Sequence, residues 1–137
     1  STKNVYQNCE VFSNPLLDQH SGANHQNLFD NITVHINPNA DNSYPLFSGG
    51  GAGYWKPSHG AYSTFWNLNV HVLSKLDSKN PLVLNGIEDG PYAYLIGVNG
   101  NTIFKIDYEP HSYQEYINKS LDIVPSLYEY QLRQRLK

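Results

Sequence analysis

Three segments of this chain align without gaps: Tyr6-Gln7-Asn8-Cys9-Glu10-Val11-Phe12, Phe29-Asp30-Asn31-Ile32-Thr33-Val34-His35-Ile36 and Phe65-Trp66-Asn67-Leu68-Asn69-Val70-His71-Val72. Each runs aromatic, variable, Asn, apolar, polar, apolar. Such a repeat constrains the fold strongly, because a unit that cannot bury its apolar face alone must stack on its neighbours. Alternation at period two places Cys9, Val11, Ile32, Val34, Ile36, Leu68, Val70 and Val72 on one face. Glu10, Thr33, His35, Asn69 and His71 fall on the other, where His35 and His71 read as solvated. Stacked in register, the first set becomes inward columns, and a slip of one residue would turn every apolar side chain outward. Asn8, Asn31 and Asn67 then share a corner at which amide side chains bond from one level to the next.

The first two segments lie 23 positions apart and the last two 36. Twenty-three residues suits one coil of a parallel β-helix, and the longer interval suits one coil with a 13-residue excursion. The expected fold is therefore all-β: a short right-handed parallel β-helix with a Gly-rich loop excursion and a C-terminal capping helix. Downstream, Pro81 to Ile87 and Tyr94 to Val98 read as short strands. Asn99-Gly100 signals a hairpin turn into Thr102 to Asp107. Pro125 to Leu136 reads as a helix, with Pro125 in its first turn and Arg133 and Arg135 in its last, placed to cover an open end.

At 137 residues the chain is expected to be a single domain, 1–137, cut from a larger secreted or cell-surface enzyme. Only 15% of residues are charged and the net charge is −3, a balance that argues against nucleic acid as a partner. The sequence holds no apolar run of the roughly 20 residues that a membrane-spanning helix needs, so no membrane partner is expected. A single cysteine, Cys9, excludes an internal disulfide and a cysteine-based zinc cluster.

Between the second and third repeats, Phe47 to Gly60 carries the glycine cluster Gly49-Gly50-Gly51-Ala52-Gly53. Its spacing is not that of a nucleotide-binding loop. A loop of this composition lets backbone approach a ligand and projects aromatics. Tyr54, Trp55, Lys56 and His59 combine flat apolar faces with hydrogen-bonding groups, the mixture that a sugar ring matches. Trp55 packing beneath its own loop is the competing reading. A second polar cluster, Asp18 to Asn27, adds His20 and His25, which stacking would bring to the same edge as His59. Three histidines near Asp18 raise a metal site as an alternative, but the spacing fits no ligand motif, and hydrogen bonding to sugar or to the neighbouring coil is favoured.

Catalytic chemistry finds little footing. Glycoside hydrolysis uses two carboxyl groups roughly 5–10 Å apart. Asp18, Asp30, Asp41, Asp77, Glu88 and Asp89 form no evident constellation, and Asp30 occupies what reads as a tolerant corner position. Lys56 with His59 is the nearest approach to a lyase pair. Ser63 lies in no nucleophile motif, and Cys9 faces inward. No catalytic residue, metal or cofactor is expected.

The segments His20-Ser21-Gly22, His25 to Asn31, Gly49 to Gly60, Phe65-Trp66-Asn67 and Pro125 to Leu132 give the chain a resemblance. From Val5 to Leu136 it resembles a domain of unknown function near the C-terminus of secreted right-handed β-helix and polysaccharide-degrading proteins of Bacteroidetes. That resemblance implies a monomeric, non-catalytic carbohydrate-binding module beside the catalytic domain of the same polypeptide. The implied ligand is an algal galactan of agar, porphyran or carrageenan type. The alternative is the C-terminal portion of a β-helix polysaccharide hydrolase or lyase.

Overall fold

The computed structural model describes residues 5–12, 27–47, 63–74, 80–86, 93–108, 112–119, 121–122 and 124–136. In chain order these form β1 (Val5–Gln7), β2 (Glu10–Val11), β3 (Leu28–Asp30), β4 (Thr33–Ile36), β5 (Ser43–Tyr44), β6 (Thr64–Val72), β7 (Leu82–Gly86), β8 (Ala93–Gly100), β9 (Phe104–Tyr108), β10 (Ser112–Ile117) and α1 (Leu127–Arg135). The chain is mostly β, with two parallel sheets and one short C-terminal helix. β1 and β2 pair with β3 and β4, these pair with β6, and β8 and then β10 follow. β5, β7 and β9 make the second sheet. From β4 onward the chain alternates between the two sheets, so each crossing returns a strand beside its predecessor.

The repeat sets this register. Tyr6 pairs with Phe29, Phe29 with Phe65, and Phe65 with Leu95. Tyr6, Phe29 and Phe65 stack face to face, with ring centroids 5.0 and 4.9 Å apart. After the corner, Ile32, Leu68 and Val98 form a second buried column, and Val34 with Val70 and Ile36 with Val72 form two more. The second sheet contributes Tyr44, Leu82, Leu84, Phe104 and Tyr108. Phe47 bridges the sheets, edge-on to Phe65 at 5.1 Å and to Tyr108 at 5.4 Å. Burying one such aliphatic or aromatic side chain stabilises the fold by about 1.5–3 kcal/mol. The core therefore arises from stacking rather than from any single strand.

Two sequence expectations fail here for identifiable reasons. Cys9 does stand at the head of the Ile32–Leu68–Val98 column, but it is exposed, because β1 and β2 form an edge with no described strand beyond them. Asn99-Gly100 is not a hairpin turn. β8 continues through both residues, pairing Asn99 with Asn69 and Gly100 with Val70, and β9 pairs instead with β7 in the second sheet. Glycine is required at 100 by close approach: a Cβ there would overlap the Val70 carbonyl oxygen. Asn101 then closes the strand end, accepting from Val72 N and donating to Val72 O, each at 2.9 Å. Asn118 clasps Phe104 in the same manner, at 2.7 and 2.8 Å. In both places a side-chain amide does the work of a missing strand residue.

Candidate functional site

The bend inside the first sheet organises everything outside it. In register, the bend residues are Asn8, Asn31, Asn67, Gly97 and Tyr116, and all have left-handed backbone, with φ of 52, 54, 57, 78 and 56°. Asparagine tolerates this region and can hydrogen-bond locally while in it. Asn31 Nδ2 donates to Asn8 Oδ1 at 2.8 Å, and Asn67 Nδ2 donates to Asn31 Oδ1 at 3.1 Å. The expected ladder is present. A further amide extends it: Asn99 Nδ2 donates to Asn67 Oδ1 at 3.4 Å.

The C-terminal segment docks on this bend. Trp66 Nε1 donates to Val124 O at 2.8 Å, and Asn67 Nδ2 to Pro125 O at 3.1 Å. Asp30 is fully buried, and its carboxylate accepts from Ser126 Oγ at 2.8 Å, Leu127 N at 3.0 Å and Tyr128 N at 2.7 Å. Asp30 is thus the anchor of the start of α1 and not a tolerant corner position. Its negative charge sits where the helix dipole and unpaired N–H groups favour one. Ser126 is the N-cap and accepts from Glu129 N at 3.2 Å. Gln7 and Asn8 add bonds to Ser126 and Glu129. The helix is consequently mounted on the flank by its first turn. None of its residues is buried, and Val5 and Tyr6 of the first strand remain exposed, so the expected end cap becomes a lateral strap.

Two hollows flank the bend. After it, Thr33, His35, Asn69, His71, Asn99 and Asn101 line an outward groove of about 340 Å³ across β4, β6 and β8. All but Asn101, which follows the end of β8, are alternate, outward positions of three adjacent parallel strands. Asn69 Oδ1 and Asn99 Oδ1 accept no hydrogen bond from a described residue, while their Nδ2 groups are tied to the bend and, for Asn99, to Lys119 O. His35 is not simply solvated. Its Nε2 lies 2.7 Å from Glu10 Oε1, an arrangement in which the ring N–H donates to the carboxylate. Phe12 stacks on the same ring at 4.3 Å, and His71 follows at 5.2 Å. His71 is exposed, as expected.

Before the bend, a pocket of about 530 Å³ opens between the sheet and the strap. Trp66, Ile96 and Glu115, successive in register, form its floor; Tyr116, Leu121, Asp122 and Val124 complete it. Tyr113 Oη donates to Glu115 Oε2 at 3.0 Å. That bond, reinforced by the carboxylate charge, raises the Tyr113 pKa above its ordinary value. Burial raises that of Tyr44. Among the described residues no group of three or more His, Cys, Asp or Glu is arranged to hold a metal ion, and no helix is long and apolar enough to cross a membrane.

The sequence-derived ligand residues Tyr54, Trp55, Lys56, His59, His20 and His25 lie outside the described residues. Sequence reasoning missed both hollows. The groove was discernible in the outward period-two sets Thr33/His35 and Asn69/His71. Its third set, Asn99/Asn101, was masked by reading Asn99-Gly100 as a turn. No known protein family, no curated protein and no solved structure matches this chain.

Proposed function

We propose that the chain is a non-catalytic carbohydrate-binding module, built as a short right-handed parallel β-helix. Its ligand is an algal galactan running across the strands of the outward groove. The alternation of strands between two parallel sheets supports the β-helix reading. The groove itself carries the functional reading: hydroxyl, imidazole and amide groups repeat on three adjacent strands. Neighbouring parallel strands lie about 4.8 Å apart, so the lining is periodic, and a periodic polymer can repeat its contacts along it. The amide oxygens of Asn69 and Asn99 accept from sugar hydroxyls, and the His71 ring supplies both a flat face and a hydrogen-bonding edge.

Among the described residues the lining contains no carboxylate and no Lys or Arg. The first absence leaves the groove without the paired acids of glycoside hydrolysis. The second favours a neutral galactan of agar type over a heavily sulfated one. Affinity electrophoresis in gels containing agarose, porphyran or carrageenan tests the reading. The chain is expected to be retarded, most by agarose, and His71→Ala to be retarded less while its circular dichroism is unchanged. Migration equal to an inert standard in all three gels would sink the binding reading. Release of reducing sugar or unsaturated product by this chain would sink the non-catalytic one.

A further inference from the structure

The pocket beneath the strap is chemically unlike the groove. Its floor is the column immediately before the bend, whereas the groove begins two residues after it. Its walls are largely apolar and aromatic, with Trp66 and Tyr116 both presented to it. Among the described residues its charged side chains are Glu115 and Asp122, and Asp122 is engaged in a further interaction of its own. A volume of about 530 Å³ is within the range of small-molecule sites.

The walls are fixed from behind. Leu121 seats against Gly97, where a Cβ would lie 2.7 Å from Leu121 Cγ. Val124 is held by the Trp66 indole N–H, and Glu115 is oriented by Tyr113. Tyr116 is the one corner residue that is neither Asn nor Gly, yet it has the same left-handed φ of 56°. Left-handed backbone costs such a residue stability that Asn or Gly would spare, and a phenol retained there at the pocket wall suits a functional position.

The geometry points to a second ligand site in this pocket, taking a small organic cation with an apolar body, an amine carried on a ring or chain. The Glu115 carboxylate selects positive charge, the aromatic faces attract a cation, and the aliphatic walls take the apolar body. An anion is repelled by the Glu115 carboxylate, and a bare metal ion would leave the apolar walls unused. The inference is independent of galactan binding.

Titration of the ¹⁵N-labelled full chain with benzylamine, benzyl alcohol and benzoate tests it, read at the Trp66 indole N–H and the Gly97 amide. Benzylamine, protonated at neutral pH, is expected to give saturable shifts and to bind about fivefold more tightly than benzyl alcohol. Benzoate is expected to give none. Glu115→Gln should weaken benzylamine about fivefold and leave benzyl alcohol unchanged. Unperturbed resonances in β4 and β9 would show the variant to be folded. Equal binding of amine and alcohol, no saturable shift with any probe, or benzylamine affinity unmoved by folded Glu115→Gln would overturn the proposal.

Discussion

The upper three positions of the bend, Asn8, Asn31 and Asn67, and the lower two, Gly97 and Tyr116, share one backbone conformation and differ in everything outside it. Above, the side chain is a rung: each amide bonds its neighbour, and Asn8 and Asn67 also bond the strap at Glu129 and Pro125. Below, the ladder gives way because Leu121 occupies the space a side chain at 97 would need. Asn99 compensates by reaching back to Asn67 from two residues further on. The same division runs through the preceding column. Gln7, Asp30 and Trp66 hold the strap, whereas Ile96 and Glu115, together with the ring of Trp66, face the pocket. The backbone turn is therefore a shared constraint, and the residue that satisfies it is chosen by what packs against it.

The largest break in this comparison is expected at its upper side. Asp30→Ala leaves the Ser126 hydroxyl and the Leu127 and Tyr128 N–H groups without their acceptor. It should cost about 3 kcal/mol in a denaturant titration and release the helix, seen as lost ellipticity at 222 nm, roughly the sum of a lost cap and a broken buried network. Next comes Gly97→Asn. Asparagine accepts the left-handed φ, so a loss of about 2 kcal/mol would isolate the overlap of its Cβ with Leu121 from backbone strain. Tyr116→Asn reverses the sign. Relief of strain is expected to raise stability by about 1 kcal/mol, measured by thermal unfolding, with loss of the pocket's aromatic wall. The smallest effect belongs to Tyr113. Its pKa is raised in the folded chain, so its bond to Glu115 contributes below the ordinary value of 10.0 and is lost as pH rises through the raised value. Glu115→Gln should bring the Tyr113 ring resonances to titrate nearer that ordinary value.

Much of this was legible in the sequence, for a physical reason. Three levels repeat the same aromatic–variable–Asn pattern, and stacking demands that equivalent residues align, so register, inward columns and the Asn ladder followed from periodicity. The fourth and fifth levels escaped because they carry Gly97 and Tyr116 where the pattern calls for Asn. Cys9 was placed in the correct column but not at the correct exposure, since alternation identifies a face and says nothing of whether another strand lies beyond it. Asp30 was misjudged for a different reason. Gln, Asp and Trp look interchangeable in an alignment, but Gln7 and Asp30 meet at Ser126 Oγ and Trp66 reaches Val124 O, partners 58 to 119 positions away, and no local signal encodes those contacts. The groove was hidden by the same misread segment, because Asn-Gly signals a turn unless the glycine is needed for a neighbouring carbonyl.

Binding by the polar ladder of the outward groove is tested most directly by following side-chain resonances during titration with an agarose-derived hexasaccharide. The account predicts saturable shifts of the Asn69 and Asn99 amide groups and the His71 ring, with the Trp66 indole unmoved. Saturable binding that leaves all three ladder groups in place, or no binding at all, would contradict it.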